Sequence, residues 1–391
     1  MCTRNADGNT ATVRGAVEEL TNLALRGENN YVREWKQAGN KVVGFTCSYV
    51  PEEILYAGNK TSKVLPFRMG AEQCESTEDA DIYLHKFACG YVKCLLQLGL
   101  SGQYDFLDGA VWSSTCEQMR RSYELWCDQV KLDYFEMLSV PHSTEGERRL
   151  TWYRDEIEKI AKGIDGCFGR SVSEEELRES IRTYNRFRKL MLELYELREL
   201  VAPKLTGAEA MKIAQAGFSM PKEQFNDMLS AALAELEARP GISDYNARIM
   251  VCGSYLDDTF LLDLIEESGA IVVTDNLCTG RKYIEGLVDE MADPLDALAQ
   301  RYLNHVSCPR MVGDYPKRLA FTKKLIQEAR VDGVIFQRLP FCDNHAVENV
   351  MESKAVEEDG IPVLNLEKEY LAADKGRLKT RIQAFLEKIA D

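Results

Sequence analysis

Residues 41–53, KVVGFTCSYVPEE, join a short apolar run to what reads as the start of a helix. The run VVGF is typical of a buried strand. Pro51 and the two glutamates after it are typical of a first helical turn, because proline fixes φ and acidic side chains are favourable near the positive end of a helix. The stretch therefore predicts a strand, a corner at Cys47 and a helix, which is the repeating unit of a parallel α/β fold.

The same strand signal recurs along the chain, with helical stretches between its occurrences. The segments that read as strands are 41–47, 63–69, 108–116, 133–140, 248–252, 270–278, 332–342 and 361–366. Strands that alternate with helices predict parallel sheets. The stretch at roughly 147–235 is rich in Glu, Lys, Arg, Leu and Ala at helical spacing, which predicts a helical insert or linker. We therefore expect an α/β domain over 1–150, a helical region over 151–240 and a second α/β domain over 241–391.

The two halves of the chain resemble each other in sequence. FLDGAVWSSTCEQMRRSYEL (106–125) aligns with RVDGVIFQRLPFCDNHAVENV (330–350) so that an Asp-Gly pair and a later cysteine coincide. CSYVPEEIL (47–55) aligns with GSYLDDTFL (253–261). Two matches in the same order, each at a strand end, predict a duplicated α/β domain. The alternative is that the likeness reflects only what all α/β units share.

Composition limits the classes of partner. A formal net charge of −15 and a pI near 5.0 argue against a nucleic-acid-coating surface and a membrane-surface patch. No apolar run approaches the ~20 residues of a membrane span, and the N-terminal residues lack the basic-then-apolar layout of a signal peptide. We therefore expect a cytoplasmic protein that binds neither nucleic acid nor membrane, although a local pocket is compatible with an anionic cofactor.

The chain has 12 cysteines, and we expect them to be reduced because cytoplasmic thiols seldom form disulfides. No Cys-x-x-Cys occurs, which excludes a thioredoxin-like motif and the usual zinc-ribbon spacing. Several cysteines fall at or just beyond predicted strand ends, the edge where open α/β sheets bind ligands: Cys47, Cys116, Cys252, Cys278 and Cys342. If the two domains face each other, Cys116 and Cys342 converge across the cleft, which suits a metal cluster that bridges the domains.

Ligand chemistry limits the kind of metal centre. Thiolates select zinc, copper(I) or iron–sulfur assemblies, and 4 histidines offer few partners for a mixed zinc site. His345 and His142 each follow a predicted strand, and either contribute to the site or hydrogen-bond within their loops. His85 and His305 fall in helical stretches and are expected to be structural.

A set of linked motifs carries a resemblance to a known family. The motifs, in order over essentially the whole chain, are GFTCSYVPEEILYA, HKFACGYVKCLLQLGLSGQYDFLDGAVWSSTCEQMRRSYELW, SVPHS, TDNLCTGRKYI and VDGVIFQRLPFCD. The chain thereby resembles the 2-hydroxyacyl-CoA dehydratase and benzoyl-CoA reductase family. The resemblance implies tandem Rossmann-like domains and a [4Fe-4S] cluster held by Cys89, Cys116 and Cys342, with one iron open to water or substrate. From the residues alone, Cys89 lies on a predicted helix and Cys94 is a neighbouring candidate.

The same family includes double-cubane cluster proteins, reductases that hold a second cubane beside the first as an [8Fe-9S] cluster. By this resemblance, Cys47, Cys278 and Cys308 are the candidates for the additional cofactor ligands. The other interpretations are that Cys47 borders the active site without being a ligand, or packs beneath its loop. A double cubane implies reduction of a small molecule, whereas a single cubane implies dehydration of a 2-hydroxyacyl-CoA or reduction of an aromatic acyl-CoA.

No phosphate-binding loop and no Gly-x-Gly-x-x-Gly follows a predicted strand, so ATP hydrolysis and dinucleotide binding have no visible place in the chain. The resemblance implies an acyl-CoA substrate, a separate ATP-dependent iron–sulfur activator that supplies a low-potential electron, and a homodimer or a heterodimer with a related subunit. Ser48, Tyr49 and His345 are the candidate catalytic proton donors. The alternatives from other classes are a non-catalytic electron-relay subunit and a metal-free two-domain binding scaffold.

Overall fold

The structure is a computed structural model that describes residues 15–23, 27–58, 63–371 and 374–390. Two four-stranded parallel sheets form its framework, with strand orders β2-β1-β3-β4 and β6-β5-β7-β8. The strands are β1 (Lys41–Phe45), β2 (Val64–Arg68), β3 (Gly109–Ser113), β4 (Tyr134–Leu138), β5 (Ala247–Gly253), β6 (Ala270–Asn276), β7 (Gly333–Arg338) and β8 (Val363–Glu367). Each coincides with a segment that reads as a strand in the sequence, except that β5 extends one residue beyond the predicted segment at both ends and β8 one residue at its carboxyl end. The predicted fold class, α/β with two tandem Rossmann-like parallel sheets, is confirmed.

Helices follow most of the strands, and four long or medium helices fill the middle of the chain. The helices are α1 (Ala16–Asn22), α2 (Asn30–Gln37), α3 (Glu52–Tyr56), α4 (Ala80–Tyr83), α5 (Gly90–Leu100), α6 (Glu117–Gln129), α7 (Glu147–Phe168), α8 (Glu174–Glu199), α9 (Gly207–Ala216), α10 (Lys222–Ala238), α11 (Phe260–Glu266), α12 (Arg281–Ile284), α13 (Pro294–Asn304), α14 (Tyr315–Glu328), α15 (Asp343–Glu358) and α16 (Lys375–Ala390). Helices α7 to α10 occupy the predicted helical region. The bounds at 150 and 240 stay a prediction.

The two sheets share the same strand order and the same pair of hydrogen bonds made by an aspartate. Asp108, just before β3, accepts a hydrogen bond at Oδ2 from the N–H of Val42 over 2.8 Å, and its own N–H donates to the Val42 carbonyl. Asp332, just before β7, makes the same two bonds with Arg248. A carboxylate that ties the central strand to its neighbour at the same place in both sheets supports the duplication read from the aligned Asp-Gly pairs.

We expect Asp108→Ala to lower the free energy of unfolding by about 1–3 kcal/mol, because it leaves a strand N–H without its acceptor. The Asp108 carboxylate is only 10% exposed and also contacts the ammonium groups of Lys36 and Lys41. Urea denaturation measures the change. Asp133→Ala is the matched control, since Asp133 is 70% exposed and meets Lys41 only at 3.9 Å; it should change stability by no more than about 0.5 kcal/mol. Equal effects from the two variants would contradict the prediction.

The acidic start of α3 is buried rather than solvent-facing. Glu53 pairs with Arg188 of α8 at 2.6 Å and accepts a hydrogen bond from the Tyr302 hydroxyl at 2.7 Å. Glu52 pairs with Lys222 of α10 at 3.5 Å. The two glutamates therefore do more than favour the helix start, because they attach the loop after β1 to the helical region.

A segment from the second half of the chain packs on the first sheet. Within residues 288–311, apolar side chains of α13 and its flanks, including Leu298 and Met311, share a buried core with Phe45 of β1 and Val111 of β3. This crossing carries the loop that follows α13 to the carboxyl end of β1. The crossing thereby brings Cys308, on that loop, close to Cys47 after β1.

In the described ranges, no helix is both long enough and apolar enough to span a bilayer.

Candidate active site

One cavity of about 520 Å³ lies between the carboxyl edges of the two sheets. Its walls come from the loops after β1, β3 and β4 of the first sheet and after β5, β6 and β7 of the second. The loop after α13 closes a further side. A shared cavity at this edge agrees with the expectation that ligands bind where parallel strands end.

Among the residues that the structure describes, six cysteines line this cavity: Cys47, Cys89, Cys116, Cys278, Cys308 and Cys342. All are free thiols. Their positions in the fold divide them into two groups: three are the N-cap residues of helices, and three lie on loops. We call Cys89, Cys116 and Cys342 the first triad, and Cys47, Cys278 and Cys308 the second triad.

The first triad lies at the N-termini of three helices. Cys89, Cys116 and Cys342 are the N-cap residues of α5, α6 and α15. Burial raises the pKa of each thiol, to about 12 for Cys116 and Cys342, and the N–H groups at the start of each helix oppose that rise. The positive end of a helix favours a thiolate. The helix N-termini therefore offset part of the cost of a buried thiolate at these three positions.

The second triad lies on loops and is surrounded by cationic side chains. Cys47 has a φ of 72°, a left-handed conformation that non-glycine residues seldom adopt. Burial raises the pKa of Cys278, and the positive charges of Arg68 and Lys282 oppose the rise. Burial likewise raises the pKa of Cys308 to about 12, again opposed by Lys282. In the second triad, the positive charge that opposes the rise in thiol pKa comes from cationic side chains, whereas in the first triad it comes from helix N-termini.

The donor set fits a sulfur-bound metal cluster. Thiols with raised pKa values are protonated at neutral pH, so a thiophilic metal centre is needed to make them ligands. Among the described residues, no three His, Cys, Asp or Glu side chains converge on one point that could hold a single metal ion. Thiols spread around a cavity suit a cluster instead, since each cysteine then binds a different iron.

A buried arginine, Arg68, also indicates that the cavity suits an anionic group. The side chain of Arg68 is buried, and none of its three guanidinium nitrogens has a hydrogen-bond partner among the described residues. Its guanidinium stacks on the rings of Phe218 and Tyr283 at 4.7 and 5.3 Å. A buried charge without a counter-ion is costly, so an anionic group in the adjacent cavity fits this environment.

The predicted proton donors differ in their placement. Ser48 lines the cavity, and its Oγ lies 3.5 Å from Nε2 of His305. His345 also lines the cavity, where burial and the charge of Lys282 lower its pKa to about 3. Tyr49 does not line it: the ring is fully buried, and its hydroxyl accepts a hydrogen bond from the Cys308 N–H at 3.1 Å. Tyr49 therefore supports the Cys308 loop and does not face the cavity.

Two cysteines that the sequence singled out lie elsewhere. Cys252 is inside β5, which extends to Gly253, and it packs in the core beneath the second sheet. Cys94 is fully buried in α5 and lies beside Cys74. Cys89, by contrast, is not on the helix as expected but at its N-cap, facing the cavity. A shift of one residue in the end of a strand or the start of a helix therefore decides whether a cysteine lies in the core or faces the cavity.

Sequence reasoning missed the cations of the site. Lys282 lines the cavity, and Arg310 lies between Cys308 and His142, whose Nε2 is 3.1 Å from Arg310 Nη2. Lys282 belongs to the motif TDNLCTGRKYI, and Arg310 stands two residues after Cys308. The signal available was a basic residue within four positions of a candidate cysteine.

Comparison with known proteins adds a family and several relatives. The model described as 2-hydroxyglutaryl-CoA dehydratase, D-component, matches residues 47–389. The chain is 28% identical over 366 residues to the putative dehydratase subunit YjiM of Escherichia coli (strain K12), which covers 91% of this chain and 93% of that protein. It is 28% identical over 341 residues to a benzoyl-CoA reductase subunit of Thauera aromatica, covering 85% and 87%. The (R)-phenyllactyl-CoA dehydratase beta subunit of Clostridium sporogenes is 23% identical over 359 residues, covering 91% and 94%.

Proposed function

The chain belongs to the family of the 2-hydroxyglutaryl-CoA dehydratase D-component, as its motifs predicted, and from that membership we propose that it is an iron–sulfur enzyme component that reduces its substrate inside the six-thiol cavity. In this proposal a separate ATP-dependent iron–sulfur activator supplies the low-potential electron. The first and second triads hold the cluster, and the cavity between the sheets admits the substrate.

The observation that carries the proposal is the arrangement of six thiols around one cavity. Three cysteines suffice for one cubane with an open iron, so a single [4Fe-4S] cluster leaves three thiols unexplained. Two triads, one beside helix N-termini and the other beside cationic side chains, favour a double-cubane [8Fe-9S] cluster. The geometry therefore favours the double-cubane reductase of small molecules over the single-cubane enzyme.

The bound cluster would supply one-electron chemistry at low potential, and the chain's own residues set the conditions for it. Helix N-termini at the first triad and cations at the second favour negative charge there. Apolar side chains of Met119, Leu339 and Phe341 line the cavity and limit the access of water. Ser48 and His345 are the predicted proton donors that line the cavity, and Tyr49 is the one that does not. His345 is neutral at pH 7 because its pKa is lowered to about 3, so it would donate its imidazole N–H.

A second candidate rests on the relatives. The proteins similar to this chain carry the names of 2-hydroxyacyl-CoA dehydratase and benzoyl-CoA reductase subunits. By that analogy the chain would hold one [4Fe-4S] cluster through the first triad and act on an acyl-CoA. The word subunit in those names favours an assembly with a related chain, as a heterodimer or a homodimer.

Iron and sulfide content after anaerobic purification separates the candidates. We expect about eight irons per chain for the double cubane and about four for the single cubane. Turnover is then assayed with activator, ATP and either an acyl-CoA or a small reducible molecule. A colourless, iron-free preparation would contradict both candidates and would favour the alternative of a metal-free binding scaffold. Iron without any turnover by the chain and activator would favour an electron-relay subunit.

A further inference from the structure

The buried cations of this protein fall into two classes. Almost all have a carboxylate or backbone carbonyl partner, as in Arg188 with Glu53, Lys222 with Glu52 and Arg318 with Glu348. Arg68 and Lys282 are different. Neither forms an ion pair or a hydrogen bond with a carboxylate or a carbonyl in the ranges that the structure describes, and both are more than nine-tenths buried.

Lys282 lies where its charge acts on the second triad. It lines the cavity with a relative exposure of 5%, and its positive charge opposes the effect of burial, which raises the pKa of both Cys278 and Cys308. Its neighbour Arg281 turns away and pairs with Glu285 at 3.0 Å. Arg281 therefore has an ion-pair partner, whereas Lys282 has none among the described residues, and its charge reaches the Glu352 carboxyl only beyond ion-pair distance.

Arg68 approaches the same thiols from the end of β2. Of the charges around it, the Cys278 thiol raises its pKa most, against the lowering effect of burial. In the first triad, the negative charge of Asp343 raises the pKa of Cys89. Cys116 lies near one cation, Arg310, which donates hydrogen bonds to the carbonyls of Pro141 and Val140. Arg68 and Lys282, the cations without such partners, act on the second triad.

Burying an ammonium and a guanidinium without partners is expensive, and the cost is offset when an anion binds beside them. On the basis of the proposed function, we propose that Lys282 and Arg68 are the counter-charges of the group held by the second triad and raise its reduction potential. One electron passes from the iron–sulfur activator, which is oxidised, to that group, which becomes more negative. Nearby positive charge stabilises the reduced state, so the second-triad side of the cavity accepts the electron more readily.

The test compares midpoint potentials of anaerobically purified holoprotein by a redox titration followed by electron paramagnetic resonance. Lys282→Met removes the charge at similar volume, and we expect the one-electron reduction equilibrium to fall by about tenfold, equivalent to about 59 mV. Lys282→Arg keeps the charge and should lie close to the wild type. Lys86→Met is the control for net charge, because Lys86 is exposed near the first triad, where water screens it.

Iron content of each variant is measured first, which separates the inference from the proposed function. An iron-free wild type would end the proposed function. An unchanged potential in an iron-replete Lys282→Met protein would overturn the counter-charge inference alone. Loss of iron in Lys282→Met but not in Lys282→Arg would support it, since the charge is then needed to retain the group. Loss in both variants would overturn it, because the lysine would then be required for its shape.

Discussion

Replacing Cys278 with alanine is expected to lower the iron content from about eight to about four atoms per chain, because one triad then lacks a ligand while the other is intact. Cys278 lines the cavity and belongs to the second triad with Cys47 and Cys308. The chain should stay folded, since the two buried apolar clusters that flank the second sheet contain none of the six cavity cysteines. Iron and sulfide analysis measures the effect, and circular dichroism checks the fold.

Cys94→Ala is the matched control for that experiment. Cys94 is fully buried, but it does not line the cavity, so its loss should leave the iron content at the wild-type value. Cys116→Ala, in the first triad, should cost as much iron as Cys278→Ala. If Cys278→Ala retains the full wild-type iron content, Cys278 is not a ligand and the double-cubane proposal fails. The single-cubane candidate predicts that result.

Arg188→Met is expected to lower the free energy of unfolding by about 3–5 kcal/mol, because it leaves the buried carboxylate of Glu53 without its partner. Arg188 Nη2 lies 2.6 Å from Glu53 Oε1 and 3.0 Å from the Tyr302 hydroxyl. The side chains of Arg188 and Glu53 are 3% and 0% exposed. Their pair connects α8 to α3, directly after the Cys47 corner, so its loss should also loosen that corner. Urea denaturation measures the stability.

The control lies two residues away on the same helix. Arg186 pairs with Asp227 at 2.9 Å, but the two side chains are 51% and 72% exposed. Exposed ion pairs contribute little because water and salt screen them, so Arg186→Met should change stability by no more than about 0.5 kcal/mol. A loss from Arg188→Met as small as that from Arg186→Met would show that Glu53 finds another partner.

The sheets were predictable because their signals are local. An apolar run followed by a Pro-Glu-Glu start is enough to give β1 and α3, and the same alternation gives each of the other strands. The repeated Asp-Gly before β3 and β7 likewise predicts equivalent positions, and both aspartates make the same bonds to the neighbouring strand. Family membership also follows from linear motifs, because the cysteines stand at fixed places within them.

Local signals do not fix the end of a strand to within one or two residues, and they do not fix the direction of the side chains that follow it. Cys252 and Cys278 both stand at the end of a predicted strand, yet β5 extends past Cys252 and leaves it in the core, whereas β6 ends before Cys278. Tyr49 looked like a proton donor because it adjoins Cys47, but its side chain points behind the cavity to the Cys308 N–H. Local sequence fixes periodicity, while the direction of a side chain beyond a strand end depends on what packs against it.

The sequence by itself determined the two parallel sheets, the helical region between them, the family and the candidate thiols, since these depend on periodicity and on motifs within short stretches. Only the tertiary structure decided which thiols share a cavity. Cys308 reaches Cys47 because residues 288–311 pack on the first sheet. Among the described residues, no carboxylate is folded within ion-pair distance of Lys282 or Arg68, although the charge of Lys282 reaches Glu352. Contacts between segments far apart in the chain, and the presence or absence of a counter-ion, arise from packing that no local pattern encodes.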